Sequence, residues 1–361
     1  MLNYLKIKNI GIFPQLEVNF APRLNFLVGA NGSGKTFLLD LAWWVLTQSL
    51  TQYDYDFMPY LPTSKAKAKI TYQCKGESKK VKVYDKKNLK WTDDEISLNS
   101  KIVILYAQTN GNFLIWDSVA QVLNDFTLNE VWNDLILEKS EEEEILNKFE
   151  KILEILSSNS IKLELPQTKQ CDDVLVVING QHIPLGIAPA SIRRLVSLAY
   201  LLVLVCHSKL KFSLVLLLDE AEAHLDPQTQ RTLLKGLLAA IKSLNIPSQI
   251  ILTTHSPLIL ASAEPIFDPK QDTLFNLNLK EQQDFIPHGD VSNWLTSTFN
   301  LKDARSLEAE MAIEKARALL QKPITEVTRE EQKAVDEELR RAGLSDIDPF
   351  WVRWGMFMEE K

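Results

Sequence analysis

A glycine-rich segment near the N-terminus has the residue types and the spacing that bind a nucleoside triphosphate. Residues 29–36 read GANGSGKT and fit the pattern G-x-x-x-x-G-K-[ST] at every fixed position. Glycines let such a loop wrap closely, so that its backbone N–H groups point at a phosphate. Lys35 would place positive charge on the β- and γ-phosphates, and Thr36 would offer its hydroxyl to Mg²⁺. The pattern predicts an ATP and Mg²⁺ site whose loop contributes Gly29, Asn31, Gly32, Ser33, Gly34, Lys35 and Thr36.

Two carboxylates follow an apolar run in the second half of the chain. Residues 214–218 read LVLLL and are followed by Asp219 and Glu220. A buried strand that ends in acids delivers them to the sheet edge where ligands bind. We predict that Asp219 holds Mg²⁺, directly or through water, and that Glu220 polarises the attacking water. Such a strand end alone is also compatible with a surface loop, and the phosphate loop favours the catalytic interpretation.

Two further strand ends carry candidate site residues. The run 250–254 ends at His255, and the apolar run 102–106 is followed closely by Gln108. A histidine at this edge can donate to the γ-phosphate and act in catalysis, although an isolated one is more often structural. Gln108 is a candidate metal ligand, and an ordinary polar residue at a strand end is the alternative. The order of the motifs favours a catalytic role for His255.

The surrounding pattern is that of an α/β protein. A short apolar strand, Leu24–Val28, precedes the phosphate loop, and a helical stretch, Thr36–Leu50, follows it. The later part alternates in the same way. Its predicted elements are a helix over 191–206, a strand over 213–218, a helix over 227–244 and a strand over 248–253. The alternation predicts a mixed sheet flanked by helices.

The remaining segments predict additions to this sheet. The opening residues 5–20 are strand-like, and the alternating segments 69–72 and 81–84 predict an antiparallel β lobe beside the main sheet. The acidic run 141–144 continues into an apolar stripe that predicts a core-facing helix with a solvated acidic end. Its apolar members are Ile145, Phe149, Ile152, Leu153 and Leu156. From about residue 290 the chain is charged and helical in pattern, which predicts a helical C-terminal region.

Composition limits the classes of function and location. The formal net charge of -7 provides no global basic field, so binding of DNA would need a local basic patch or a basic partner. The longest apolar run, 195–206, falls short of the roughly 20 residues that span a bilayer, so no membrane association is predicted. The three cysteines, Cys74, Cys171 and Cys206, have no metal-site spacing, which favours a cytoplasmic protein.

Three segments together resemble a known family. Residues 5–36, LKIKNIGIFPQLEVNFAPRLNFLVGANGSGKT, are similar to the first lobe of ABC-type ATPases of the SMC/RecF-like group. Residues 214–227, LVLLLDEAEAHLDP, resemble the Walker B motif and D-loop of that group, and residues 252–257, LTTHSP, its switch-histidine loop. The resemblance implies a P-loop head that sandwiches two ATP molecules in a homodimer. It carries functional roles to Lys35, Thr36, Asp219, Glu220, Asp226 and His255.

A narrower resemblance bears on the biological role. Residues 39–44, 305–310 and 348–351 are similar to segments of small bacterial "AAA family ATPases". The related Septu-type and OLD-like ATPases work in phage defence beside or fused to a nuclease. By analogy, ATP hydrolysis is predicted to gate a partner effector, such as a nuclease or toxin. The alternative is an ATP-loaded switch that hydrolyses slowly and restrains its partner.

The signature segment departs from the family pattern. Residues 188–194 read APASIRR, with no glycine between Ile187 and Arg193. We predict that Ser191 caps the following helix and presents N–H groups to a γ-phosphate held by the second subunit. Close backbone approach is harder without glycine, so trans-acting hydrolysis is predicted to be weak.

The predicted organisation is a single ABC-type head over residues 1–361. Its parts are an N-terminal lobe with the phosphate loop (1–110), a helical insert leading to the signature (111–190), a C-terminal lobe with the acidic strand end and switch histidine (191–289) and a helical tail (290–361). An alternative for the tail is a nuclease metal site around Asp346 and Asp348. Capping of a helix by Asp348 is the favoured interpretation.

Overall fold

The computed structural model describes residues 1–49, 67–85, 90–92, 101–119, 122–126, 143–164, 174–178, 180–207, 212–299, 301, 305–323, 326–344 and 348–359. The strands are β1 (Leu2–Ile10), β2 (Phe13–Asn19), β3 (Leu24–Val28), β4 (Lys69–Cys74), β5 (Lys80–Asp85), β6 (Lys90–Trp91), β7 (Ile102–Ala107), β8 (Phe113–Asp117), β9 (Val122–Phe126), β10 (Ile161–Glu164), β11 (Leu175–Ile178), β12 (Gln181–Pro184), β13 (Ser213–Leu218), β14 (Ser248–Thr254), β15 (Asp272–Asn276) and β16 (Glu281–Gln283). The helices are α1 (Lys35–Thr47), α2 (Glu143–Leu156), α3 (Ala190–His207), α4 (Pro227–Leu244), α5 (Pro257–Ala263), α6 (Val291–Ser297), α7 (Leu307–Leu320), α8 (Arg329–Arg341) and α9 (Phe350–Glu359).

A mixed eight-stranded sheet positions the candidate site. Its order is β16-β15-β3-β14-β13-β7-β8-β9. The five central strands from β15 to β7 are parallel, and β16, β8 and β9 are antiparallel to their neighbours. Strand β14 lies between β3 and β13, so the loops after these three strands leave the sheet at one edge. The predicted mixed sheet is confirmed, and the strands Leu24–Val28 and Ser213–Leu218 have the bounds that the sequence predicts.

Helix α1 after the phosphate loop is shorter than predicted. It runs over Lys35–Thr47 and does not reach Leu50. It ends because Gln48 adopts a left-handed conformation with a φ of 57° and donates its N–H to the Trp44 carbonyl. The helix is apolar on most sides because it is enclosed by the core, where Trp43 is fully buried.

The antiparallel lobe is a separate sheet. Its order is β2-β1-β4-β5-β6, and its described pairings are antiparallel. Along β1, Leu5 and Ile7 are buried while Lys6 and Lys8 lie on the other face. Alternation of this kind buries one face of the sheet and leaves the other to solvent.

The segment 111–190 is less helical than predicted. Helix α2 is present, and all the apolar residues of its stripe are buried, as predicted. The other described elements of this segment are β8, β9, the three-stranded sheet β10-β11-β12 and a 3₁₀ turn over Leu185–Ile187. The prediction of a helical insert is wrong for these parts, because strands of four or five residues give too short a pattern to be recognised.

The chain forms two compact units, Met1–Trp294 and Leu295–Lys361. The second unit has a core of its own, which includes Ile313 of α7, Leu339 of α8 and Trp354 of α9. The subdivisions of the first unit at residues 110 and 190 stay predictions. None of the helices in the described part of the chain has the length and apolar character that a membrane span requires.

In the second unit, Asp348 has a structural role. Its carboxylate accepts hydrogen bonds from the Phe350 N–H at 2.8 Å and from the guanidinium of Arg305 at 2.7 and 2.9 Å. The interpretation of Asp348 as a helix-capping residue is therefore confirmed. Asp346 lies outside the described residues, as does Cys171. Within the described ranges, no group of three or more His, Cys, Asp or Glu side chains could hold a metal ion.

Candidate nucleotide-binding site

The phosphate loop is closed on one side and open on the other. Gly34 has a φ of 91°, and a Cβ atom there would lie 2.5 Å from the Phe13 ring and 2.7 Å from Ile12 Cδ1. Only glycine fits this position, because both the backbone and the space exclude a side chain. Gly32 has a φ of 78° and no atom within 4 Å of its Cβ position. The loop therefore packs against the β1–β2 turn at Gly34 and faces open space at Gly32.

Lys35 lies inside this loop. It is 6% exposed, and its Nζ donates to the carbonyls of Gly29 at 2.9 Å and Ala30 at 3.1 Å. Burial lowers the pKa of Lys35, and the charges of Glu220, Glu222 and Asp219 act in the opposite direction. The ammonium group is thus held in the loop by neutral carbonyls, which a phosphate could replace as partner.

Asp219 contacts the phosphate loop and strand β14, which are far apart in the sequence. The Thr36 hydroxyl donates to Asp219 Oδ2 at 2.8 Å, and the Thr253 hydroxyl donates to Oδ1 at 2.7 Å. Asp219 is 1% exposed, and burial raises its pKa while the two hydroxyl bonds act to lower it. A carboxylate beside a threonine hydroxyl provides the oxygen donors that Mg²⁺ prefers, so the residues present fit this ion.

Gln108 lies at the same sheet edge. It follows β7 directly, and Asp219 donates its N–H to the Ala107 carbonyl at 2.9 Å, which places Gln108 next to Asp219 across the strand pair. The Gln108 side chain is 4% exposed, and its Oε1 has no hydrogen-bond partner among the described residues. A buried, unsatisfied amide oxygen fits a missing ligand at this edge. Its role as a metal ligand stays a prediction.

Glu220 projects differently from its neighbour Asp219. Its φ of 45° is in the left-handed region, which a residue with a side chain seldom adopts. Its N–H donates to the Thr253 hydroxyl at 2.7 Å. Asp219 is buried, whereas Glu220 is partly exposed. Thr253 therefore contacts both acidic residues and fixes the turn between them, a role that the sequence analysis missed although this threonine interrupts an apolar strand.

Glu222 holds His255 in place. Its Oε2 accepts the Thr254 hydroxyl at 2.6 Å, and its Oε1 accepts the His255 N–H at 2.7 Å and lies 3.1 Å from His255 Nδ1. Glu222 is 7% exposed, whereas the His255 side chain is 44% exposed. Because Nδ1 faces Glu222, Nε2 is the ring nitrogen that is available to another group. Glu222 is a positioning residue, which its place in the LDEAEAH run alone did not indicate.

Asp226 has a local partner in the chain. It is the N-cap of α4, and its Oδ1 accepts the N–H groups of Gln228 at 3.0 Å and Thr229 at 3.1 Å. The hydrogen bond from the Thr229 hydroxyl lowers the pKa of Asp226. This capping gives Asp226 a structural function that was not predicted. Contact between Asp226 and a bound nucleotide stays a prediction.

The start of α3 differs from the prediction. The helix begins at Ala190, so Ser191 is inside its first turn and does not cap it. The preceding Pro189 accepts the Arg193 N–H at 3.0 Å, which starts the helix one residue before Ser191. No hydrogen bond joins Ser191 to the phosphate loop in the part of the chain that the structure describes. N–H groups of a helix's first turn point out of its N-terminal end, where a phosphate could accept them. Binding of a γ-phosphate at the start of α3 stays a prediction.

Comparison with known proteins adds a family. A family model described as "AAA domain" matches residues 4–342. No curated protein is similar enough to this chain to count as a match. Among solved structures, the chain is similar to an SMC head bound to the C-terminal winged-helix domain of ScpA, with 14% identity and a TM-score of 0.48 over 76% of this chain and 94% of that chain.

Two other SMC heads are also similar to the chain. The SMC head domain from Thermotoga maritima is 15% identical, with a TM-score of 0.39 over 76% of this chain and 94% of that one. The Smc head domain with an extended coiled coil, bound to the C-terminal domain of ScpA derived from Pyrococcus furiosus, is 12% identical. Its TM-score is 0.43 over 76% of this chain and 92% of that one.

Proposed function

Since the chain belongs to the AAA-domain family, we propose that it is an ABC-type ATPase of the SMC/RecF-like group, which binds and hydrolyses Mg²⁺–ATP as a dimer of two heads. The observation that carries the proposal is the 2.8 Å bond between Thr36 and Asp219, which lie 183 residues apart in the sequence. The fold brings the phosphate loop and the acidic strand end together with the donors that such a site requires.

The proposed mechanism assigns one task to each side chain. Lys35 binds the β- and γ-phosphates, and Thr36, Asp219 and Gln108 hold the metal. Bound Mg²⁺ supplies neutralisation of the charge that develops during phosphoryl transfer. Glu220 orients the attacking water and accepts its proton. His255, held through Nδ1 by Glu222 at 3.1 Å, donates from Nε2 to the γ-phosphate.

The proposed dimer follows from the position of the open side of the site. The phosphate loop faces open space at Gly32, and no hydrogen bond joins the start of α3 to this loop within the described residues. We propose that a second copy supplies its own Ser191 and Asp226 to the bound nucleotide. One chain would then provide the Walker residues of one site and the signature residues of the other.

Light scattering tests the dimer directly. Glu220→Gln protein with saturating Mg²⁺ and ATP should show a doubled mass, because it binds ATP without consuming it. The matched control is Lys35→Ala/Glu220→Gln, which should stay a monomer because it lacks the phosphate-binding cation. An unchanged monomer mass for Glu220→Gln, with ATP binding verified by titration, would contradict the dimer.

A second candidate is an ATP-loaded switch that hydrolyses slowly and restrains an effector. It is supported by the glycine-free segment 188–191 and by the position of Ser191 inside α3. Steady-state turnover with and without DNA separates the two candidates, since the switch would turn over slowly in both conditions. A nuclease or toxin as the gated effector, and a role in phage defence, rest on the resemblance alone.

Nucleic acid is a candidate partner because basic residues are concentrated in one lobe. The described parts of the antiparallel lobe, residues 1–20, 67–85 and 90–92, contain nine lysines and three acidic residues, although the whole chain has a net charge of -7. Lys8 and Lys69 are exposed and directly opposite each other on β1 and β4. Like charges at opposite positions are destabilising, and a bound phosphate backbone would relieve this repulsion.

Salt-dependent binding of duplex DNA tests this partner. The double variant Lys8→Gln/Lys69→Gln should bind less tightly, and the slope of log affinity against log salt should fall by about 2. Lys235→Gln/Lys242→Gln, on α4, is the control with the same loss of charge. An equal change in both variants would point to a general charge effect and would remove the lobe as the binding surface.

A further inference from the structure

Arg194 of α3 is a buried arginine that contacts the turn carrying Glu220. It is 6% exposed. Its Nη2 donates to the Asp219 carbonyl at 2.9 Å and more distantly to the Glu220 carbonyl at 3.4 Å, and its Nη1 lies 3.5 Å from the Ala223 carbonyl. Within the described residues, its hydrogen-bond acceptors are all backbone carbonyls of this one turn.

An arginine in this position is costly to bury. Burial lowers the pKa of Arg194, and the charges of Asp219, Glu222 and Glu220 act in the opposite direction. The side chain also lines a small cavity that is otherwise largely apolar. A buried cation needs compensating contacts, and an apolar side chain would fill this space without that requirement. The contacts with the turn are the compensation that the structure provides.

The turn that Arg194 contacts is strained at Glu220. The left-handed conformation of Glu220, with a φ of 45°, persists only where the surroundings hold it in place. The Thr253 hydroxyl accepts the Glu220 N–H at 2.7 Å. Arg194 donates to the carbonyls of Asp219 and Glu220. The direction of the Glu220 carboxylate therefore depends on both contacts.

The same helix start carries Ser191 and Arg194. These residues are three apart in α3, so they lie on one face of the helix, a single turn from each other. Ser191 is the residue proposed above to meet the nucleotide of the second subunit. A shift of the helix start on contact with that nucleotide would move Arg194 and, through it, the turn of Glu220.

We propose that Arg194 is a positioning residue for Glu220 and couples the start of α3 to the hydrolytic group of the same subunit. The coupling to a second subunit rests on the proposed dimeric ATPase. The positioning of Glu220 by Arg194 within one subunit can be tested separately from hydrolysis.

Mixed dimers identify the subunit in which Arg194 acts. In the first pair, a Lys35→Ala subunit meets an Arg194→Met subunit, so the one site that binds ATP uses the Glu220 turn without Arg194. In the second pair, a Lys35→Ala/Arg194→Met subunit meets a wild-type subunit. The one site that binds ATP then keeps Arg194 beside Glu220, and Arg194 is missing only from α3 of the opposite subunit. The reference pair is Lys35→Ala with wild type.

The expected result is a difference between the two pairs. The first pair should show a single-turnover rate about 10- to 100-fold below the reference, since small displacements of a catalytic group have effects of this size. The second pair should match the reference, and ATP affinity should be unchanged in both. Arg194→Lys, which keeps one charged donor, should recover part of the rate. A slow second pair, or a first pair as fast as the reference, would overturn the proposal.

Amide hydrogen exchange provides a readout that does not need hydrolysis. In nucleotide-free Arg194→Met, peptides covering residues 219–225 should exchange faster than in wild type. Arg23→Met is the control for loss of an arginine elsewhere in the same unit, because Arg23 donates to the Ile266 carbonyl at 2.6 Å and pairs with the buried carboxylate of Asp272, away from the Glu220 turn. Faster exchange only in Arg194→Met supports the positioning role even if the wild-type protein hydrolyses no ATP, an outcome that would refute the proposed ATPase instead. Equal exchange in both variants would refute the positioning role.

Discussion

The proposed ATP site has two parts, which we call the Walker half and the signature half. The two parts differ in how completely a single chain assembles them. The Walker half consists of residues 29–36 with Asp219, Glu220 and His255, and its parts are joined by hydrogen bonds such as that between Thr36 and Asp219 at 2.8 Å. The signature half consists of residues 188–194. It lacks glycine, and its serine lies inside α3.

The comparison shows that burial is unequal between the two halves. In the Walker half, the side chains of Lys35 and Asp219 are 6% and 1% exposed, so water screens their charges little. Ser191 is only partly buried in the single chain. We therefore expect ATP binding to depend mainly on the Walker half, and the signature half to adjust the rate of hydrolysis. The predictions below test this division.

The largest expected effect is on hydrolysis in Glu220→Gln. This variant should bind ATP and lose about 10²–10⁴-fold in single-turnover rate, the usual contribution of a positioned acid or base. Single-turnover assays measure the chemical step separately from product release. Asp219→Asn is the comparison, because it should weaken metal binding as well. If Glu220→Gln hydrolyses ATP at the wild-type rate while Asp219→Asn does not, another group is the base.

Lys35→Ala should weaken ATP binding strongly. The change removes the cation of the phosphate loop, and a charge-assisted contact is worth about 1.5–3 kcal/mol, which corresponds to roughly 10- to 150-fold in affinity. Titration with a fluorescent ATP analogue measures the loss. Lys8→Ala, which removes an exposed lysine of the antiparallel lobe, should leave ATP affinity unchanged. Wild-type affinity in Lys35→Ala would refute the assignment of the Walker half.

A pH series should detect a buried acid beneath the Walker half. Asp40 of α1 is 1% exposed, accepts the Tyr106 hydroxyl at 2.9 Å, and has a pKa that burial raises from 3.8 to about 6. The folded state therefore holds the proton more tightly than the unfolded state. The contribution of Asp40 to the free energy of unfolding should fall by up to about 3 kcal/mol as pH rises from below 4 to above 6.

Urea unfolding of wild type and Asp40→Asn at several pH values measures this effect. The difference in stability, wild type minus variant, should fall between pH 4 and 6, because asparagine has no proton to lose. Asp268→Asn is a control of opposite sign, since backbone and side-chain hydrogen bonds lower the pKa of Asp268. A difference for Asp40→Asn that does not change with pH would show that folding does not shift the pKa of Asp40.

The smallest expected effect is that of Ser191→Ala. The backbone N–H groups that face the phosphate are kept in this variant and only the hydroxyl is lost, so we expect a contribution of about 0.5–1.5 kcal/mol and a fall in hydrolysis by the dimer of roughly two- to tenfold. Ser197→Ala, which changes a fully buried serine of the same helix, is the control for stability. A loss as large as that in Glu220→Gln would show that the signature half contributes as much as the Walker half, and would end the division between them.

Much of the fold could be predicted because its signals are local. The strand Ser213–Leu218 and the helix Pro227–Leu244 have the predicted bounds, since each is a continuous pattern with a clear start and end. The helix after the phosphate loop was predicted too long, because its end depends on one left-handed residue, Gln48. The strands within 111–190 were missed, because short strands gain their stability from neighbours that are distant in the sequence.

The sequence by itself determined the residues of the phosphate loop, because eight consecutive residues hold that chemistry and their conformations are set locally by glycine. Only the tertiary structure decided which other side chains complete the site. Strand β14 lies between β3 and β13. This order brings Thr253 into contact with Asp219 and places the phosphate loop beside them. The contacts of Glu222 with His255 and of Arg194 with the Asp219 carbonyl join residues 33 and 25 apart. Such contacts depend on strand order and helix packing, which no local pattern of residues specifies.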